Sequence, residues 1–301
     1  MIPFFEAYRD IIPDFSSFQE SLRQRLPVHI RANSLKIEPE AVLALLAEKG
    51  IYLERTSQID ETLFLAPGLS SAGNLPEYFL GYIHPQALTS CLASIALSVK
   101  KSSLVLDMCA SPGGKTSHAA QLMANTGLVV ANDLYPSRQK PLAYTLDRLG
   151  VLNTILTGYQ AQEFPMRMRF DYVLADVPCS GEGTLRFDRE GVDYREKKLD
   201  QRLIETQEKI IIRGFDLLKS KGEMLYSTCT YNPEENEEVV DYLLKRREAD
   251  ILPISCGADY EPGLLEWKKK KYDKRLRRTA RFYPHRINSV GFYMARIGRR
   301  S

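Results

Sequence analysis

Two cysteines stand in short polar motifs, Cys179 in D-V-P-C-S-G-E-G (Asp176 to Gly183) and Cys229 in Y-S-T-C-T-Y-N-P-E-E-N-E (Tyr226 to Glu237). A thiolate is a potent nucleophile, and two thiols together suit a reaction with an addition and an elimination. Methylation of cytosine at carbon 5 is such a reaction. The ring is too electron-poor to take a methyl group there directly, so a thiolate must first add at carbon 6. A second thiol can then help to remove the adduct.

A free thiol titrates at about 8.5, so only a few per cent is thiolate at neutral pH unless the site lowers that value. Asn232-Pro233-Glu234-Glu235 reads as an N-cap, a first-turn proline and an acid three residues after the cap. This predicts a helix beginning just after Cys229, whose positive end favours a thiolate, with Glu234 and Glu235 offsetting part of the effect. Lys115 is a second candidate for that role.

The elements that must position these residues alternate. The pattern predicts strands at Ser103–Asp107, Leu128–Asp133, Thr154–Thr157, Tyr172–Asp176 and Met224–Thr228. Helices are predicted after Gly114 and Pro136, over Gln201–Leu218 and after Pro233. Such alternation means a parallel sheet covered on both faces, with ligands bound beyond the carboxyl ends of the strands. The motifs comply, because each places its polar residues just past a strand.

Cys109 to Thr116 (C-A-S-P-G-G-K-T) lies between the first of these strands and its helix. Its glycines let backbone pass close to a ligand, and the following helix start favours an anion. Gly114-Lys115-Thr116 matches the end of a nucleotide-triphosphate loop, but Cys109 occupies the first glycine position of that motif. Asp133, 20 residues after Gly113 at the end of the next strand, favours an adenosyl cofactor whose ribose hydroxyls it would accept. The pattern alone does not separate NAD from S-adenosylmethionine.

Before this region, Val28–Lys36 reads as a strand and Pro39–Lys49 as a helix with Val42, Leu45 and Leu46 on one face, closed by Gly50. Ile51–Glu54 reads as a further strand. Leu65–Leu80, rich in Gly, Pro, Ser and Asn, reads as a connector to a helix over Gln86–Val99. The chain therefore divides into residues 1–82, a small α+β unit, and residues 83–301, the sheet-bearing unit.

The 301 residues are 44% hydrophobic, enough for a sizeable core. Cys91, Cys109, Cys179, Cys229 and Cys256 show no C-x-x-C spacing, and His84, His118 and His285 form no ligand set, so neither a metal cluster nor a disulfide framework is expected. Cys91 and Cys256 read as core packing. The first ten residues carry Glu6, Arg9 and Asp10 without a signal-peptide apolar core, and no run suits a bilayer, so a soluble, cytoplasmic protein is expected.

Net charge is only +3, yet residues 261–301 hold 5 Lys and 8 Arg against 3 acids, or +10, leaving −7 elsewhere. Within 267–286, Trp267, Tyr272, Phe282 and Tyr283 interleave with the bases. Bases neutralise phosphates and aromatic faces stack on unpaired nucleobases, which suits looped RNA; the alternative is a solvated cationic loop.

Taken together, D-M-C-A-S-P-G-G-K-T, N-D-L-Y-P-S-R, D-V-P-C-S-G-E-G, S-T-C-T-Y-N-P-E-E-N-E, the early R-A-N-S-L-K and the terminal R-F-Y-P-H-R-I-N-S-V-G-F-Y-M-A-R resemble the Sun/NSUN (RsmB/RsmF-like) family. These are S-adenosylmethionine-dependent RNA cytosine-5 methyltransferases. The resemblance covers nearly the whole chain, and the joint P-C and T-C motifs are its most specific part. It implies a Rossmann-like α/β class I methyltransferase sheet of seven strands, Gly291–Ile297 antiparallel, preceded by a small RNA-recognition-like domain.

The site residues carry over by the same resemblance. Cys229 would be the nucleophile and Cys179 would assist product release. Lys115 and Asp176 would hold the polar edge of cytosine. The cofactor would be lined by Cys109, Ala110, Ser111, Pro112, Gly113, Gly114, Lys115 and Asp176, with Asp133 on the ribose and Arg138 beside it. Gln160 stands where the family carries an acid near the adenine. The implied partner is RNA, tRNA favoured over rRNA; oligomeric state is not legible.

Two other function classes compete. A DNA cytosine methyltransferase uses a P-C cysteine as nucleophile and needs neither the T-C motif nor the N-terminal unit. A non-catalytic RNA-binding assembly factor would not need both cysteines, Asp176 and Lys115. An adenine N-methyltransferase would carry D/N-P-P-Y/F where this chain has D-V-P-C.

Overall fold

The computed structural model describes residues 3–56, 60–186 and 200–300. After a 3₁₀ turn at Pro3–Tyr8 come α1 (Phe15–Ser21), β1 (His29–Ala32), α2 (Pro39–Ala47), β2 (Glu54–Arg55), β3 (Leu63–Leu65), α3 (Pro76–Phe79) and β4 (Ile83–Pro85). The four strands form an antiparallel sheet in the order β2-β3-β1-β4. Helix α2 starts on Pro39, whose missing N–H costs nothing there, and buries Val42 and Leu46 against Ile30, Phe64 and Ile83. Gly50, at φ +73°, turns the chain after it.

Two expectations for this region shift. The strand foreseen over Val28–Lys36 ends at Ala32, and the small sheet runs to Pro85, past position 82. The buried side chains between Phe5 and Leu22, moreover, join a different cluster. Phe5, Tyr8, Phe15 and Phe18 form a cluster with Tyr231 and Tyr283, far along the chain.

The R-A-N-S-L-K segment joins the two sheets. Arg31 is buried and donates to Ser117 Oγ at 2.7 Å, to Gln86 and to Gln121. Asn33 Nδ2 donates to the carbonyls of Gly81 and Leu149, both at 2.8 Å, and Lys36 Nζ to that of Arg148 at 2.7 Å. Arg31 and Asn33, both buried, thus find partners across the junction, which fixes how β4 meets the large sheet.

That large sheet follows α4 (Leu88–Leu97). Strands β5 (Leu104–Asp107), β6 (Leu128–Asn132), β7 (Thr154–Thr157), β8 (Phe170–Asp176) and β9 (Leu218–Thr228) are parallel, in the order β7-β6-β5-β8-β9. Between them run α5 (Gly114–Leu122), α6 (Pro136–Arg148) and α7 (Gln201–Asp216); α8 (Glu237–Leu244) follows β9. Alternate strand residues face opposite layers: Leu106, Val130 and Val173 join α7 and α8, whereas Val105, Val129 and Leu174 join α4 and α5.

The remaining elements are β10 (Ala249–Leu252), β11 (Glu261–Pro262), the hairpin of β12 (Glu266–Trp267) and β13 (Lys270–Lys271), β14 (Ala280–Phe282), α9 (Pro284–Ile287) and β15 (Phe292–Arg299). Strand β15 is antiparallel to β9, as expected. Among the described residues the sheet has nine strands rather than seven, because β14 and β11 extend it beside the first half of β15 while β10 pairs the second half. No helix among the described residues is long and apolar enough to cross a membrane.

The basic segment 267–286 is folded into this edge. Tyr272, Phe282 and Tyr283 are buried, and Trp267 packs on Tyr8 with ring centroids 6.0 Å apart. Several of its bases are paired, Lys268 with Glu234 at 2.9 Å, Arg275 with Asp273 at 2.7 Å, and Arg281 with Glu237 in the interior. These rings are core residues, so the expected stacking of nucleobases on them does not hold.

Candidate active site

Strands β8 and β9 are parallel neighbours with Asp176 opposite Ser227, so the segments leaving their carboxyl ends start side by side. This register brings Cys179 and Cys229 together. Their Sγ atoms lie 3.3 Å apart, both free thiols, and the Cys229 N–H points at Cys179 Sγ at 3.4 Å.

The pair shares its proton unequally. The hydrogen bond from Cys179 pulls the Cys229 thiol below its ordinary value, against burial and the Asp176 charge, with help from Lys115. That same contact, together with burial, holds Cys179 well above its ordinary value. Of the two thiols Cys229 is therefore the one that ionises first, while Cys179 keeps its proton.

Asp176, at the end of β8, accepts from Ser227 Oγ at 2.7 Å and from Lys115 Nζ at 2.8 Å. Lys115 also donates to Ser90 and lies 5.4 Å over the Phe292 ring. Burial disfavours its charge, but Asp176 more than compensates and the ammonium is retained.

A cavity of about 460 Å³ opens onto these groups, a size suited to a small molecule or one nucleotide base. Cys109, Ala110, Ser111, Pro112, Gly114 and Lys115 form one wall, Asp176 and Cys229 another, and His84, Gln86 and Ser90 a third. Gly113, at φ +102°, turns the loop into α5. Five sequence-derived candidates, Gly113, Asp133, Arg138, Gln160 and Cys179, stand outside the lining. Asp133 accepts from the Ser111 N–H and from Arg138, each at 3.2 Å, behind the loop, and Gln160 is exposed with its amide oxygen bonded to Gln162. Cys179 touches Cys229 without lining the cavity.

The helix expected at Pro233 starts at Glu237 instead. Asn232 caps only an isolated turn, accepting from the Glu234 N–H at 3.0 Å. Hydrogen-bonded contact with Cys179 thus replaces the helix terminus as the main device acting on Cys229.

Several residues at the site carried no sequence signal of their role. Glu235, whose sequence signal is only that of an acid at a helix start, is fully buried and accepts the Ser180 N–H at 2.9 Å and hydroxyl at 2.6 Å, and Gln207 at 3.0 Å. Glu182 accepts from Thr230 at 3.0 Å and Tyr8 at 3.1 Å, yet burial raises it to about 7. Asp107, receiving Thr116 at 2.7 Å, is raised by burial to about 6. Only contacts formed between distant segments reveal these roles.

Residues 94–298 match the family model described as 16S rRNA methyltransferase RsmB/F. The chain belongs to the RsmB/F methyltransferase family. Among RsmB/F relatives, it is 35% identical over 297 residues to the human 28S rRNA (cytosine(4447)-C(5))-methyltransferase, covering 96% of this chain and 36% of the relative. It is also 35% identical over 294 residues to the tRNA (cytosine(49)-C(5))-methyltransferase of Pyrococcus abyssi, covering 95% and 92%. The chain spans less than half the length of the mouse, human and Caenorhabditis elegans rRNA relatives. In solved structures, a methyltransferase homolog from Pyrococcus horikoshii matches with 31% identity and a TM-score of 0.81 over 95% of this chain and 90% of its own. The fold is accordingly the Rossmann-like α/β methyltransferase fold with a mixed central sheet.

Proposed function

We propose that this protein transfers a methyl group from S-adenosylmethionine to carbon 5 of a cytosine in RNA, with Cys229 as nucleophile. The observation that carries this reading is the 3.3 Å Cys179–Cys229 contact beside a cavity that Cys229, Asp176, Lys115 and the 109–115 loop share.

The loop fits the cofactor. The N–H groups at the start of α5 have no carbonyl a turn earlier in the helix, and Gly113 and Gly114 leave backbone accessible beside them. Ser111, Pro112, Gly114 and Lys115 would hold the amino-acid portion, and Asp133 with Arg138 the ribose. When bound, the cofactor supplies an electrophilic methyl on its sulfonium.

The remaining chemistry falls to the chain. The Cys229 thiolate adds to carbon 6 and the ring's electrons move toward carbon 5, which becomes enamine-like. Asp176, fixed by Ser227 and Lys115, accepts from the exocyclic amine, and the Lys115 ammonium offsets the negative charge formed on the ring. After methylation, a water in the cavity takes the carbon-5 proton, which restores the double bond and expels Cys229 as thiolate. Cys179, at van der Waals contact, assists that expulsion.

The substrate favoured is tRNA, since the archaeal tRNA relative matches this chain over 92% of its own length. The rRNA relatives are spanned less completely, from 36% of the human enzyme to 63% of the ribosomal RNA small subunit methyltransferase F of Vibrio vulnificus. Bisulfite sequencing of total RNA with and without the gene tests the reaction and finds the position. Cys179→Ala is expected to accumulate a covalent RNA adduct through Cys229, and Cys229→Ala to form none. The reverse pattern would make Cys179 the nucleophile, as in DNA cytosine enzymes, and absence of labelled methyl transfer to any cellular RNA would favour an assembly factor.

A further inference from the structure

His84 lies on β4, the last strand of the small sheet, and borders the cavity beside the 109–115 loop. Its Nδ1 is 2.9 Å from Arg148 Nη2. A guanidinium has no acceptor, so Nδ1 must accept and the ring proton resides on Nε2. Arg148 is itself held, stacked 3.9 Å over the Tyr78 ring and donating to the Ile83 carbonyl at 3.2 Å. Burial, with Arg31 and Arg148 nearby, keeps the imidazole neutral.

The free nitrogen is turned toward the start of α5: a Cβ placed on Gly114 would meet His84 Nε2 at 3.5 Å. Nε2 has no hydrogen-bond partner among the described residues. It therefore stands as an oriented, uncharged donor beside the unpaired N–H groups of a helix N-terminus, an arrangement that selects an anion.

We propose that His84, through Nε2–H, donates a hydrogen bond to the amino-acid carboxylate of the bound adenosyl cofactor, with Arg148 as the positioning residue that sets its tautomer. This rests on the methyltransferase reading given above. The carboxylate is the cofactor's one anionic group, and the loop against which His84 lies is the one that would hold that end. His84 thus ties the small sheet to cofactor binding, because β4 belongs to that sheet while the loop belongs to the large one.

The test compares S-adenosylhomocysteine, which carries the carboxylate, with 5′-methylthioadenosine, which lacks it, by calorimetry on the whole chain. His84→Phe is expected to weaken S-adenosylhomocysteine by about tenfold or more, the loss typical of one hydrogen bond to a charged group, and 5′-methylthioadenosine by less than about twofold. His84→Gln, which keeps an N–H donor, should recover most of the difference. Retained 5′-methylthioadenosine binding certifies the fold, and His84→Leu serves if His84→Phe does not fold. Equal weakening of both ligands, or unchanged S-adenosylhomocysteine affinity with weakened RNA binding, overturns the assignment. Failure of the wild-type chain to bind S-adenosylhomocysteine would instead overturn the methyltransferase reading and this inference together.

Discussion

Glu235, six residues after Cys229, receives both the backbone N–H and the hydroxyl of Ser180, the residue after Cys179. One buried carboxylate thereby fastens the two cysteine-bearing segments to each other, and Gln207 of α7 fastens it in turn. Glu235→Ala would leave the Ser180 N–H without an acceptor, while the Ser180 hydroxyl keeps Thr230 and Gln207 keeps the Pro178 carbonyl, at a cost of about 1–3 kcal/mol. Methyl transfer should fall at least about tenfold, since small displacements of reacting groups are costly. A variant that melts and turns over like wild type would remove Glu235 from the account.

Gly183 makes a comparable point through backbone. Its N–H donates to the Cys229 carbonyl at 2.8 Å, and a Cβ there would lie 2.2 Å from the Gly291 oxygen and 2.9 Å from the Cys229 oxygen. Gly183→Ala cannot be accommodated without moving one of these segments. Activity should be lost while far-ultraviolet circular dichroism stays native, and an active Gly183→Ala enzyme would contradict the packing.

Thiol reactivity should follow the proton arrangement of the pair. Cys229 ionises below its ordinary value mainly because Cys179 donates to it, so its alkylation by iodoacetamide should have a lower pH midpoint than that of Cys179. Removing the donor with Cys179→Ala leaves burial and Asp176 to dominate, and the Cys229 midpoint should move up. Peptide mass spectrometry across a pH series reads both. A midpoint that stays or falls in Cys179→Ala would show that Cys179 does not stabilise the thiolate.

Much of this architecture is legible in the sequence, for definable reasons. Parallel strands such as Leu104–Asp107 and Phe170–Asp176 are short apolar runs ending in an acid, and strand ends are where an α/β sheet puts its chemistry. Local patterning fails where tertiary contacts decide. Asn232-Pro233 looks like a helix start, yet the chain there spends its polar groups on Thr230 and the Cys229 loop, and α8 begins only at Glu237. Trp267, Tyr272 and Tyr283 look like stacking platforms because composition cannot tell an exposed ring from one buried under the N-terminal segment. His84 gave no signal at all, since its meaning depends on Arg148 and Gly114, which lie elsewhere in the chain.

Stability should depend on pH through Glu182. Its carboxyl, raised from 4.5 to about 7 by burial, holds its proton more tightly in the folded state than in the unfolded one. Stability is therefore fullest below about pH 4.5, falls as pH rises toward 7, and above that carries a constant cost of roughly 3 kcal/mol. Glu182→Gln, which cannot ionise, should gain on wild type between pH 5 and pH 8. Thermal melts at both values measure it, and a difference between the two proteins that is the same at each pH would refute the shift.

Arg281 and Glu237 form a pair with both side chains almost wholly buried, Nε to Oε1 at 2.6 Å, and Arg281 also donates to the Tyr231 carbonyl at 2.9 Å. Taking one partner away strands a charge in the interior, so Arg281→Met and Glu237→Leu should each cost about 3–5 kcal/mol. Replacing both, as Glu237→Leu with Arg281→Met, removes the stranded charge along with the attraction and should recover much of that loss. A coupling measured from the four melting curves separates the two effects. If each single variant melts within a degree or so of wild type, the pair does not hold β14 to the segment after Cys229, and the support for the nucleophile must come from Glu235 and Glu182 alone.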